Sequence, residues 1–108
     1  MERREVLLAK VFFSDRSESK IRPCIVLSDE HYNSNGFLMI APITTSTDDF
    51  CIPVSEKDAG CPMDINSNAR FDSIIKLDTK LVIKKIGKVT PEFHSRLVDR
   101  IISLIRKG

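Results

Sequence analysis

Thr90-Pro91-Glu92-Phe93-His94-Ser95-Arg96-Leu97-Val98-Asp99-Arg100-Ile101-Ile102-Ser103-Leu104-Ile105 differs in period from the rest of the chain. Phe93, Leu97, Ile101 and Ile105 recur every fourth residue, and Val98, Ile102 and Leu104 widen the stripe, which is the spacing of an amphipathic helix. Thr90 can accept a hydrogen bond from the first turn as an N-cap, Pro91 suits the first helical position, and Glu92 suits the positive end of the dipole. Arg106 and Lys107 complement the other end. The sequence therefore predicts a helix closing the chain.

Everything before Thr90 reads as short strands. Glu5 to Phe13 is apolar through Val6-Leu7-Leu8 and again at Val11-Phe12-Phe13. A polar segment from Ser14 to Lys20 predicts an exposed, mobile loop. Pro23 to Ser28 has the composition of a buried strand, and Asn33-Ser34-Asn35-Gly36 is a turn signal. Phe37 to Pro42, Cys51 to Ser55, Phe71 to Leu77 and a shorter piece within Ile83 to Val89 complete the strands. Several short strands ending in one amphipathic helix predict a mainly β domain with a C-terminal helix, an SH3-like small barrel.

At 108 residues the chain reads as a single domain, 1–108, with a modest core. No apolar run approaches the roughly 18–20 residues of a membrane span, and the charged start, Met1-Glu2-Arg3-Arg4-Glu5, does not read as a signal peptide. We expect a cytoplasmic protein with no membrane association. Cys24, Cys51 and Cys61 are odd in number and lack a C-x-x-C pair, so they read as small hydrophobes in a reducing compartment rather than metal ligands.

The net charge of +2 is too small to announce a nucleic-acid binder, but its distribution is uneven. Residues 1–22 carry six basic and four acidic side chains, residues 23–69 one and seven, and residues 70–108 ten and four. A fold that joins the two ends could present a basic face to phosphates. Lysines solvating a strand edge and a helix face explain the same numbers equally well.

The order of short motifs along the chain resembles the MazF/PemK/Kid toxins. Glu5-Val6-Leu7-Leu8-Ala9-Lys10-Val11-Phe12-Phe13-Ser14-Asp15 is similar to that family's first strand. Lys20-Ile21-Arg22-Pro23-Cys24-Ile25-Val26-Leu27-Ser28 matches its R-P hallmark, and Ala41-Pro42-Ile43-Thr44-Thr45-Ser46 its P-I-T-[ST] motif. Asp72-Ser73 resembles the later D-[QS] position, and Ile86-Gly87-Lys88-Val89 the ending before the last helix. Two departures stand out. Arg4 occupies the usual position of Gly, and the first loop lacks the His that some members use in catalysis. His31 and His94 read as surface or packing residues.

The resemblance implies metal-independent cleavage of single-stranded RNA by attack of the 2′-OH on the adjacent phosphate, with no cofactor. Such a reaction needs a proton acceptor, a proton donor and cationic or hydroxyl contacts to the phosphorane. Arg22 is the foremost candidate, because its planar guanidinium stays charged and grips two phosphate oxygens, while Pro23 restricts it to an extended backbone. Thr44 would offer a hydroxyl, with Thr45 or Ser46 as a second contact. Arg70 and Asp72, two apart at a strand start, would share a face, and in one branch of the family the matching pair acts as acid and base. Lys20, Ser73, Lys76 and Lys80 would contact RNA, with bases stacked on Phe13 or Phe71.

The same resemblance implies a homodimer and a cognate antitoxin that blocks the basic groove with an acidic segment. Competing readings are a catalytically silent SH3-like module that binds RNA or protein, and a topoisomerase poison like the related CcdB toxins. The R-P and P-I-T-T motifs are marks of the ribonuclease branch and weigh against the poison.

Overall fold

Val6 to Val11 becomes the spine of the protein in a computed structural model, which describes residues 1–12 and 19–106. Strand β1 (Glu5–Phe12) pairs antiparallel with β2 (Ser19–Val26) on one side and β7 (Val82–Lys88) on the other. β2 pairs with β3 (Phe37–Thr44), and β3 carries both β5 (Asn68–Arg70) and β6 (Ile75–Asp78). β4 (Cys51–Pro53) completes the row beside β5. The order is β4-β5-β3-β2-β1-β7, and no pairing among the described residues joins β4 to β7. The sheet is therefore a bent, open barrel, which bears out the mainly β class.

Strand alternation sends side chains into two cores. Val6, Ile25, Ala41 and Ile43 face the final helix α3 (Pro91–Ile105), whose Phe93, Leu97 and Ile101 close over them. Leu7, Ala9, Val11, Cys24, Val26, Leu38 and Ile40 fill the other side. Thr90 accepts from Phe93 N and Pro91 opens the helix, as the sequence predicts. The apolar stripe leaves the sheet after Ile101, so Ile102, Leu104 and Ile105 are exposed.

Several expected boundaries shift, each because pairing overrides local composition. β2 starts at Ser19 rather than Pro23, since β1 continues far enough to zip Phe12 to Ser19 and Ala9 to Arg22. It stops at Val26, short of the expected Ser28. Arg22 thus lies within a strand rather than at a loop junction. β3 runs two residues past Pro42 because β5 supplies a ladder at Ile43 and Thr44. β5, which the sequence does not mark as a strand, follows a polar stretch and is bonded on both edges. The strand expected over Phe71 to Leu77 begins at Ile75.

β4 ends at Pro53 because Ser55 caps the one-turn helix α2 (Glu56–Ala59) in a capping box with Asp58. Gly60, with φ of 67°, ends that helix in the left-handed region. The turn at Asn33–Gly36 is present, preceded by one helical turn, α1 (Glu30–Asn33). The expected loop from Ser14, Phe13 and Lys107 lie outside the described residues, except that Ser19 and Lys20 open β2. Among the described residues no helix is long and apolar enough to cross a membrane.

Candidate active site

Register decides which side chains meet. Cys24 lies opposite Pro42 and Ile25 opposite Ala41. Continuing that register by two residues sets Arg22 across from Thr44, beyond the last ladder pair. Both residues line an open groove of about 460 Å³. Lys20 and Thr45 stand beside them, Leu8, Ile43 and Ile86 form an apolar floor, and Met63, Asp64 and Ser67 make the far wall.

The polar atoms of this groove are held by short local bonds. Thr44 Oγ1 accepts from Ser46 N at 3.1 Å, which fixes the turn after β3. The Thr44 O–H remains a donor, because a hydroxyl has one proton and two acceptor pairs. Asp64 Oδ1 accepts from Asn66 N at 2.8 Å. Buried Asn68, opposite Thr44 on β5, donates through Nδ2 to Ser46 O at 3.3 Å and Asn66 O at 2.9 Å. One amide thus ties the two sides of the groove together. Arg22 is half-buried, with Nε withdrawn from solvent. The arrangement offers a phosphodiester a half-buried guanidinium and a hydroxyl on one groove, whose lining also includes the Asp64 carboxylate.

Arg70 and Asp72 do meet, but not on this groove. Arg70 ends β5 rather than starting a strand, and Asp72 lies in the bend beyond. Arg70 Nε and Nη2 donate to the two Asp72 oxygens at 2.9 and 3.0 Å, and Nη2 also reaches Asp48 Oδ2 at 2.9 Å. Asp72, aided by Asp48 against partial burial, holds the Arg70 guanidinium even more firmly protonated than usual. The Phe50 N–H, then Arg70, hold Asp48 below the ordinary carboxylate range. A guanidinium shared by two carboxylates is a poor proton donor.

The other expected contacts scatter. Ser46 stands at the turn beside Thr44, but its groove-side contribution is the backbone bond to Asn68. Ser73 is half-buried in the bend after Asp72. Lys76 lies on β6 opposite Met39, its Nζ 4.3 Å from the centre of the Phe37 ring. Thr44 lies five steps along β3 from Met39, about 17 Å of strand. Lys80 is exposed in a 3-10 turn, Thr79–Leu81.

Phe71 is buried, edge-on to Phe50, and offers no open face for stacking. His31 is exposed, and His94 is half-buried on α3. Cys24 is buried, whereas Cys51 and Cys61 are only partly so, and all three are free. Burial pushes the Cys24 thiol up to about 12, which keeps it inert. Among the described residues no three His, Cys, Asp or Glu side chains gather as a metal site requires.

The wall residues Met63, Asp64 and Ser67 were missed in the sequence. Their only local signal is the turn chemistry of Asp64-Ile65-Asn66, an Asp side chain accepting from the backbone two residues on.

The profile of the PemK-like, MazF-like toxins of type II toxin–antitoxin systems matches residues 2–105. No curated protein sequence matches. Among solved structures, the Mycobacterium tuberculosis toxin MazF-mt6 superposes with a TM-score of 0.76 at 20% identity, covering 94% of this chain and 96% of that one. MazF from Deinococcus radiodurans gives 0.78 at 16% identity, covering 97% and 96%. A mycobacterial endoribonuclease in complex with its cognate antitoxin gives 0.76 at 15%, covering 97% and 94%. At these identities the superpositions speak for the fold.

Proposed function

Because this chain belongs to the family of PemK-like, MazF-like toxins of type II toxin–antitoxin systems, we propose that it is a toxin that cuts single-stranded RNA as a metal-independent, sequence-selective endoribonuclease. The observation that carries this reading is the presence of Arg22 and Thr44 on one groove, open to solvent, with Lys20 at its edge.

In the proposed reaction the RNA 2′-oxygen attacks the adjacent phosphorus and the bond to the 5′-oxygen breaks. The products are a 2′,3′-cyclic phosphate and a 5′-OH. Arg22 grips the non-bridging oxygens in a planar fork, and Thr44 donates its hydroxyl to the same phosphate. Both interactions strengthen as negative charge builds on the phosphorane, so they accelerate the step rather than merely bind. Of the acidic side chains among the described residues, Asp64 lines the groove and Asp72 does not. Asp64 is therefore our assignment for the group that takes the 2′-OH proton. The groove is open, so water can protonate the departing 5′-oxygen.

A cognate antitoxin is the partner this reading implies, since an endoribonuclease of similar fold is known in complex with its own. An acidic segment laid over Lys20 and Arg22 would exclude RNA by competing for the same cations. The reading also includes a homodimer. The exposed Ile102, Leu104 and Ile105 at the end of α3 give apolar surface for a second copy to cover.

The test is incubation of the purified protein with a long single-stranded RNA in excess EDTA, beside Arg22→Ala. Discrete fragments with 5′-OH ends, lost in a folded Arg22→Ala protein, are expected. Intact RNA with folded wild-type protein would sink the nuclease reading and leave the silent binding module.

A further inference from the structure

A second, smaller cavity of about 280 Å³ adjoins the groove and shares Thr45 and Ser67 with it. Thr45, Thr47, Pro53, Ile65, Asn66 and Asn68 bound it. We propose that this cavity is a nucleobase-recognition subsite, which takes the base of a nucleotide next to the scissile phosphate. The proposal rests on the reading that the groove holds single-stranded RNA.

The lining decides the class of ligand. Among the described residues no charged side chain borders the cavity, so none of them offers a phosphate or an acidic peptide side chain a counter-charge there. Side-chain amides and the two threonine hydroxyls offer both donors and acceptors, which is what a base edge requires. Pro53 and Ile65 supply apolar surface for the flat faces of a ring. Ile65 is 95% exposed, an apolar side chain held almost wholly in water at the rim of a polar cavity. Covering it with a base would remove that surface from water.

The walls are also set before any ligand arrives. Asn68 is buried, and its Nδ2 is spent on Ser46 O and Asn66 O, so it spaces the segment after β3 from the loop before β5. The Asn66 backbone is fixed at both ends, its N–H to Asp64 and its carbonyl to Asn68. Its exposed side-chain amide is thus presented on a rigid backbone as the reading group. An amide can pair two-pronged with a base edge, and unstacked bases of single-stranded RNA expose those edges. Preorganisation of this kind lowers the ordering cost of binding.

The test is selection from a randomised single-stranded RNA library whose riboses are 2′-O-methylated, which removes the attacking hydroxyl and so prevents cleavage. Wild type should enrich one base at one position by about 10-fold or more, the discrimination expected of a two-pronged contact. Asn66→Ala and Ile65→Ser should lose that enrichment while melting at the wild-type temperature. If Asn66→Ala does not fold, Thr47→Val on the opposite wall is read in its place. An unchanged preference in the folded variants, or no preference in wild type, overturns the subsite. Cleavage of unmodified RNA is followed in parallel. Its absence would sink the nuclease reading while the base preference stays measurable, so the two failures are distinct.

Discussion

Arg4 and Val89 are joined twice: Arg4 Nη1 donates to Val89 O at 3.0 Å, and Val89 N–H donates to Arg4 O at 2.8 Å. The Arg4 N–H also donates to Val26 O at 2.8 Å, so this one residue links the ends of β2 and β7 at the start of β1. Its φ is 77°, in the left-handed region that glycine enters freely and other residues enter at a cost of roughly 1–2 kcal/mol. Arg4 therefore holds a backbone shape that glycine adopts without strain. The side-chain bond to Val89 offsets part of the strain.

This balance predicts unequal responses to two small substitutions. Arg4→Ala keeps the left-handed backbone and loses the bond, so it should destabilise by about 1 kcal/mol. Arg4→Gly loses the same bond but relieves the strain, and should lie within about 0.5 kcal/mol of wild type. Urea unfolding with matched slopes measures both. Equal destabilisation by the two variants would show that the backbone strain is not a real term.

Gly87 has a different reason to be glycine. It sits where the β1–β7 register shifts, and an added Cβ would press on the Ala59 carbonyl and lie 2.9 Å from Cys61 Sγ. Backbone cannot yield as a flexible side chain can. Gly87→Ala should therefore cost about 1–3 kcal/mol, as overpacking does, and disturb neighbouring Ile86 on the groove floor. Gly36→Ala, with open space around it and only its φ of 89° to strain, should cost about 1 kcal/mol. Thermal denaturation of the pair reads the difference, and a milder Gly87→Ala would contradict the contact.

These packing details explain what the sequence made legible. The α3 stripe and the apolar runs of β1 were readable because local period and composition carry the signal. Arg22 and Thr44 were readable as motif members, and the β2–β3 register brings them together. β5 was not readable, because Asn68-Ala69-Arg70 lacks strand composition and is held by neighbours distant in sequence. The Asp64 wall was hidden for the same reason, since its place depends on Asn68 reaching across to Ser46. Arg70 and Asp72 were correctly adjacent, but their separation from the groove follows from the strand path, which no local pattern encodes.

The carboxylates give the most direct test of the proposed chemistry. Asp64→Asn preserves shape and the hydrogen bond from Asn66 while removing the proton acceptor, so kcat should fall about 100-fold or more with KM little changed. Asp72→Asn, by contrast, weakens the fork to Arg70 and should act mainly on stability. Thr44→Val should cost about 10- to 100-fold in kcat, the loss of one donor to the developing charge. Single-turnover cleavage of a defined oligonucleotide separates these effects. A large kcat loss in Asp72→Asn with normal Asp64→Asn would return the base to the Arg70 pair.

The last prediction concerns pH and lies away from the groove. His94 on α3 has Nε2 buried without a hydrogen-bond partner, and Arg3 and Arg4 add positive potential nearby. Burial first, then the two arginines, lower its pKa from the ordinary imidazole value of 6.5. The folded protein therefore favours neutral His94, whereas the unfolded chain binds the proton near pH 6.5. Stability from this group is complete above that pH and is lost as pH falls through the lower folded value, because the unfolded state binds more protons in that window. Unfolding free energy should thus decline between pH 7 and 5. His94→Gln, which does not titrate, should flatten that decline, and Arg3→Gln, by bringing the folded value nearer the unfolded one, should make it smaller. A wild-type slope that survives His94→Gln unchanged would assign the pH dependence to other groups.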